Sequence, residues 1–401
     1  MKIGFVSTWF ERGAAYVTKA YLDTLSEKNE VFLYARGGET TGKGDAQWDK
    51  EYVTWGYRLS GTKIDWKHFK KWIVINGIET IFFNEQTDLT ILAQTAKEFP
   101  SIKLGSYIDY YTLKMISSFD LFDFVICNTK RHYSVFQHHP QCYFVPWGTN
   151  IELFKQTDEK SSDELVFFHS AGMSSRKGTN TLIHVFIKNE LFKSSKLIIH
   201  TQIPISRFSS HSNDELRRFN IEVIEKTVAA PGLYHLGDVY VYPTTLEGIG
   251  LTIYEALSCG LPVITTNTPP MNEVVTSEIG KLIEVDQFVS RDDGYYWPLA
   301  FVNEDSLYNC MKFYVDHQEK ITIEKKNARE FAISHLNWEN NKVQLLEIFD
   351  TVKSIPKNTT LINSILRIEK RGKWTSIGNA ILEILPPRIM EFVQVKIKKI
   401  R

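Results

Sequence analysis

The sequence predicts an α/β protein of two successive doubly wound parallel-sheet domains facing across a cleft, with a helical C-terminal tail. Three observations predict this. Short apolar runs alternate with amphipathic helical patterns from the N-terminus to about residue 150. The alternation restarts after a polar, unpatterned stretch, Lys155 to Asp163. Short, mostly apolar strands alternating with amphipathic helices suit parallel sheets covered on both faces. We therefore expect a first domain over 1–155, a second over 156–345 and a tail over 346–401.

Each element follows in order. KIGFVS reads as the first buried strand, and Val17, Tyr21 and Leu25 then share one helical face. EVFLYA returns to strand. Trp66, Phe69 and Ile73 mark a helix for which Gly77 is a fitting stop. TIFFN is a strand, and Leu89, Leu92, Ala93 and Ala96 mark another helix. KLGSYI, FDFVICN and CYFVP complete the first sheet. In the second domain ELVFFHS is a strand, Leu182, Val185 and Phe186 lie on a helix, and KLIIH, NIEV, DVYVYP, LPVITT and KLIEV are further strands. IEKKNAREFAISHL and VQLLEIFDTVKSI then read as helices. Ligands of such sheets bind beyond the carboxyl ends of the strands, which puts the expected site in the cleft.

Composition narrows the function. With 43% apolar and 23% charged residues the chain has the profile of a soluble globular protein. Zero net charge gives no reason to expect a nucleic-acid partner. The balance is uneven, because from Lys353 onward eleven basic residues face three acidic ones. The end, RIMEFVQVKIKKIR, carries Ile389, Phe392, Val393 and Ile400 on one helical face, with Lys396 and Lys399 off it. That pattern suits peripheral contact with an anionic membrane, or a helix packing back on the first domain with a solvated basic face. The four cysteines are scattered without a Cys-x-x-Cys pair, so neither zinc nor a disulfide scaffold is expected, and a reducing cytoplasm is the simpler setting. MKIGFVSTWFER is too short an apolar run for a signal peptide, and no run of about 18 apolar residues suggests a membrane span. The expected location is cytoplasmic, with the inner face of a membrane as a peripheral option.

The chemistry concentrates in LEGIGLTIYEALSCGLPVITTN, Leu246 to Asn267. Gly248 and Gly250 let a ligand approach the backbone closely. A helix beginning near Leu251 offers free N–H groups and a positive dipole end to a phosphate. Carboxylates repel phosphates, so Glu247 and Glu255 would serve uncharged hydroxyls on either side of it. A nucleotide sugar carries hydroxyls in that arrangement, ribose on one side of a diphosphate and hexose on the other. The plainer alternative makes Glu247 a helix cap and Glu255 a solvated helix residue.

This stretch closely resembles the signature of glycosyltransferase family 4 (glycosyl transferases group 1), enzymes of the GT-B fold with two Rossmann-like domains. The family shows Glu, Gly, any residue, Gly, then a second Glu-Ala, small residues and Gly-Leu-Pro-Val. The resemblance implies that Glu247 contacts the donor sugar and Glu255 the ribose. It implies too that the backbone of Gly248, Ile249, Gly250, Leu251 and Thr252 meets sugar and diphosphate. In AGMSSRKGTNTLIHVF the family's Lys-Gly matches Lys177-Gly178, which implies diphosphate contact for Lys177. The family's arginine usually stands earlier, after a glycine; here Met173 follows Gly172, and Arg176 is taken as its substitute. A basic pair at a helix start is disfavoured by the dipole, which itself argues for an anionic partner.

The loop STWFERGAAYVTKAYLDTL, with Gly13, resembles the family's glycine-rich loop near the donor phosphate or acceptor, or is a plain strand–helix turn. Where many members carry a histidine, SYIDYY offers Asp109, which would bind acceptor or sugar hydroxyls or cap the next helix. FDFVICNTKRHYSVF and YFVPWGTNIELF resemble positioning segments. His132, His138 and His139 read as residues of a surface helix and loop, not ligands. No Asp-x-Asp metal motif occurs, so neither metal nor cofactor is expected. The resemblance implies a retaining glycosyltransferase with a nucleoside-diphosphate sugar as donor and a carbohydrate or glycolipid as acceptor. A nucleotide-sugar epimerase and a catalytically degenerate sugar-binding subunit are the alternatives.

Overall fold

The computed structural model describes residues 1–36, 41–59, 61–155 and 164–368. The first sheet contains β1 (Lys2–Ser7), β2 (Glu30–Ala35), β3 (Val53–Trp55), β4 (Thr80–Asn84), β5 (Lys103–Tyr107), β6 (Phe124–Cys127) and β7 (Cys142–Phe144). Their order is β3-β2-β1-β4-β5-β6-β7, with every pairing parallel. Both faces are covered, as the short, mostly apolar strands suggest. Ile3 and Phe5 pack with Tyr21 and Leu25 of α1 (Gly13–Ser26). Val6 turns to the other face, against Phe69, Trp72 and Ile73 of α2 (Trp66–Asn76). Asp65 caps α2 by accepting from the His68 N–H, and Gly77 ends it at φ 61°, a left-handed conformation that favours glycine. α3 (Thr90–Glu98) and α4 (Lys130–Phe136) complete this layer.

The second sheet repeats the winding. It holds β8 (Val166–Gly172), β9 (Lys196–Thr201), β10 (Ile221–Glu225), β11 (Val239–Tyr242), β12 (Val263–Thr266) and β13 (Gly280–Ile283), in the order β10-β9-β8-β11-β12-β13. Leu182, Val185 and Phe186 of α5 (Thr179–Lys188) bury one face against Phe167 and Val241. Ile253 and Leu257 of α7 (Leu251–Ser258) pack on the other, against Tyr240, Tyr242 and Val263. The short α6 (Asn213–Arg218) leads into β10.

Two features depart from the expectations. β3 is three residues long, too short for a periodic signal, and among the described residues pairs with β2 alone. KLIEV, expected as one strand, divides at Glu284: β13 closes the sheet, while β14 (Val285–Val289) leaves it to pair antiparallel with β15 (Leu299–Val302). This hairpin reaches back to the first domain, where Tyr295 bridges Thr112.

α8 (Glu304–Asp316) and α9 (Gln318–His335) follow. The chain then returns to the first sheet. Thr149 and Asn337 form a bridge where the two crossings run side by side, with Thr149 N donating to Leu336 O (2.7 Å) and Trp338 N to Thr149 O (3.0 Å). α10 (Trp338–Thr351) lies on the first sheet: Trp338 stacks on Tyr21 at 5.8 Å, and Phe349 meets Phe82 and Phe124. Beyond it Lys357 pairs with the fully buried Asp123 at 2.6 Å, and Ile362 joins the first-domain core. The tail helix read over 389–400 and nearly all of the polar linker lie outside the described residues. No helix among the described residues is long and apolar enough to cross a membrane.

Candidate active site

The strand orders reverse between β1 and β4 and between β8 and β11. At such switch points the loops leave in opposite directions and open a crevice beyond the carboxyl ends. The loop after β8 carries Arg176 and Lys177, the loop after β11 carries Glu247 and Gly248, and the two are packed together. Thr245 N donates to Arg176 O at 2.8 Å. Gly178, at φ 74°, lies so close to Pro243 that a Cβ would stand 2.1 Å from its carbonyl oxygen, so only glycine permits this approach.

Glu247 is held by its Oε1. That atom accepts from Lys177 Nζ (2.7 Å), Thr244 Oγ1 (2.7 Å) and Tyr242 OH (2.8 Å). Burial pushes its carboxyl up, but the Lys177 charge and these bonds outweigh it and hold the group below the usual glutamate value. Lys177 Nζ also sits 5.1 Å from the centroid of the Tyr242 ring. Glu247 therefore does not cap α7. Gly250 takes that position, at φ 85°, with no side-chain cap. Glu255, four residues into α7, is half-buried and accepts from Tyr234 OH at 2.5 Å. Burial raises its pKa; the Tyr234 bond and Lys177 oppose this only in part. Arg176 is exposed, with Ser174 beside its guanidinium.

The first domain closes on this loop from the other side. Asp109, just beyond β5, lies against Gly248, where a Cβ would stand 2.0 Å from its Oδ1. The next turn of helix begins after Thr112 and has no side-chain cap, so Asp109 does not serve it. Burial and the neighbouring Glu85 carboxyl hold Asp109 well above the usual aspartate value, against the pull of Arg131 and Arg176. Gly13 is the first residue of α1 and faces Leu251, the first residue of α7, so two helix N-termini approach one another across the cleft.

The start of α4 supplies the grip that sequence reasoning missed. Arg131, only 5% exposed, donates to the Glu247 carbonyl and, at 2.7 Å, to Pro269 O. Its guanidinium lies 5.1 Å from the Trp297 ring. Glu273 of the second domain accepts from the N–H groups of Lys130 (2.7 Å) and Arg131 (2.8 Å), capping α4 across the cleft. His132 and His139 are buried rather than on the surface; only His138 is exposed. The reason is that α4 is enclosed on one side by the first sheet and on the other by the second domain. His132 bonds Tyr111 OH at 3.1 Å, and the Gly248 backbone lies near its ring. Glu85 was also missed. It stands at φ 50° at the end of β4, with its carbonyl held by the buried Arg36 at 3.1 Å. Nothing in FFNEQ signals that left-handed turn.

Comparison with known proteins follows the same lines. Residues 150–288 match the family described as Glycosyl transferases group 1. Sucrose-phosphate synthase of Thermosynechococcus elongatus superposes with a TM-score of 0.67 at 15% identity, over 87% of this chain and 98% of that one. Anabaena HepE, solved in complex with UDP and glucose, gives 0.66 at 15% identity, over 88% of this chain and 100% of that one. The fold is GT-B. Within this GT-B chain a 45-residue segment, 11% of its length, is 49% identical to O-antigen chain mannosyltransferase B of Escherichia coli, covering 12% of that protein. The curated relatives are matched over 12%, 58% and 20% of their own lengths.

Proposed function

We propose that this protein is a retaining glycosyltransferase, moving a sugar from a nucleoside-diphosphate sugar to an acceptor hydroxyl in the synthesis of a surface polysaccharide or glycolipid. The observation that carries this reading is the Lys177–Glu247 pair beside the bare N-terminus of α7, with Glu255 four residues further along that helix. Cation and helix end suit a diphosphate; the two flanking carboxylates suit hydroxyls. The likeness to HepE, solved with UDP and glucose, agrees with such a donor, and the O-antigen mannosyltransferase segment with a glycan acceptor.

In this mechanism the bond from the sugar's anomeric carbon to the diphosphate breaks as the acceptor oxygen bonds to the same carbon from the same face. Lys177, Arg176 and the α7 N–H groups stabilise the charge gathering on the diphosphate. A diphosphate oxygen takes the acceptor's proton. Glu247 orients the sugar and Glu255 the ribose, so much of the acceleration comes from holding the reactants in line. In this reading Gly13 and Asp109 would meet the acceptor or a donor phosphate. The tail, 386–401, would add peripheral contact with an anionic leaflet on the cytoplasmic side; equal pelleting on anionic liposomes with and without it would sink that part.

Thermal-shift screening against UDP-, GDP- and ADP-sugars tests the donor class, since a ligand of the native state alone raises the melting point. Release of nucleoside diphosphate with transfer to a saccharide supports the reading. Conversion of the donor alone into a new nucleotide sugar would mean an epimerase. Binding without either reaction would mean a sugar-binding subunit.

A further inference from the structure

We propose that the cavity beneath the β14–β15 hairpin is an acceptor subsite holding a neutral pyranose ring; this rests on the glycosyltransferase reading above. The cavity, about 340 Å³, opens between the hairpin and the loop that carries Glu247. Its walls are Phe288, Trp297 and Pro298 from the hairpin and Thr245, Thr268 and Arg131 from around it.

The hairpin register picks out Phe288. It stands opposite Ala300, so both side chains leave the same face. That face is the inner one, since Ala300 is 1% exposed. Phe288 nevertheless remains 58% exposed. An aromatic ring pointing inward yet open to solvent hangs over empty space, and in this chain that space is the cavity. The neighbouring Phe301 pairs with Gln287 and belongs to the outer face.

The lining fits a sugar ring. A pyranose has an apolar C–H face and a rim of hydroxyls. Phe288, Pro269 and Pro298 offer apolar wall, and Thr245 and Thr268 offer a polar edge, the Thr245 hydroxyl as an acceptor because it donates to Arg176 O at 3.2 Å. The cavity also adjoins the loop that carries Glu247. Thr245 and Leu246, both in its lining, run directly into Glu247, and Arg131 both lines it and donates to the Glu247 carbonyl. A sugar held there would lie beside the main chain that leads into Glu247, on the path we assign to the acceptor.

Saturation-transfer NMR with the methyl glycosides of glucose, galactose, mannose and N-acetylglucosamine tests this on the full chain. At least one should receive saturation through its ring C–H protons. Phe288→Ala should weaken that binding about five-fold, Phe288→Tyr should restore it, and Phe301→Ala should leave it unchanged. No wild-type signal from any of the four, or equal signals from wild type and Phe288→Ala, overturns the subsite. Nucleotide-sugar thermal shifts on the same samples separate the two failures. If they persist while the glycosides fail, the subsite alone is wrong; if they vanish, the glycosyltransferase reading falls first.

Discussion

Glu247 and Glu255 share a signature but live in opposed electrostatic settings. Lys177 keeps the first ionised; burial works against ionisation of the second. Replacing Glu247 with alanine removes the proposed sugar contact and leaves Lys177 without its anion, so transfer should fall by about 10²-fold or more. Glu255→Ala should chiefly weaken nucleotide binding, about ten-fold by calorimetry, with smaller loss of kcat. Wild-type turnover by the Glu247 variant would contradict its role. Asp109 yields a pH prediction. Its folded pKa lies above its unfolded one, so between those values the folded chain holds more protons and stability falls as pH rises. Asp109→Asn removes that contribution, so on going from acid to neutral pH the melting temperature should fall less, or rise more, than in the wild type. An unchanged profile would show that Asp109 does not titrate in this window.

At the scale of elements, the interlock of α4 with the loop after β11 decides how the two domains meet. Gly248→Ala would drive a Cβ into Asp109, an overpacking cost of about 1–3 kcal/mol. Much of it should be recovered in the double variant with Asp109→Gly, measured by denaturant unfolding. Arg131→Lys keeps a charge but loses the planar fork that spans two carbonyls. We expect it to lower kcat while nucleotide affinity holds. The carboxylate stretch and Lys177-Gly178 were legible because glycine spacing and charge there are local facts of sequence. Arg131, His132 and Glu273 were not, because each acts on the other domain: a short helix with mixed polarity reads as surface until its second neighbour is known. The β14–β15 hairpin was hidden for a similar reason. β14, VDQFV, is largely exposed and interrupted by polar residues, and β15, LAFV, is apolar but only four residues long; the two pair with each other instead of joining the covered sheet.

At the scale of the whole molecule, the return of the chain to its first sheet is stapled by Lys357 and Asp123. Asp123 is fully buried and also accepts from the backbone N–H groups of Leu104 and Ile355 at 2.7 Å each. Lys357→Met would strand that carboxylate, a loss of about 3–5 kcal/mol, visible as a lower melting temperature with donor affinity intact. The alternating pattern was enough to read two parallel sheets, since burial on both faces leaves a composition that no loop or solvent-facing strand imitates. The return path was only partly readable, because an amphipathic helix states that it is covered without stating by what.

The paired crossings at Thr149 and Asn337 have a mechanical meaning. A body joined by one flexible strand can swivel in any direction; one joined by two strands bonded side by side behaves like a door on its pins. Gly148 sharpens this, since a Cβ there would stand 2.8 Å from both Leu336 O and Trp338 N, leaving the two segments no room to slide. A relative turn of the two sheets would have to pivot at this bonded pair of crossings, while the contacts of Arg131 with the Glu247 carbonyl and of Asp109 with Gly248 lie where such a turn would part them.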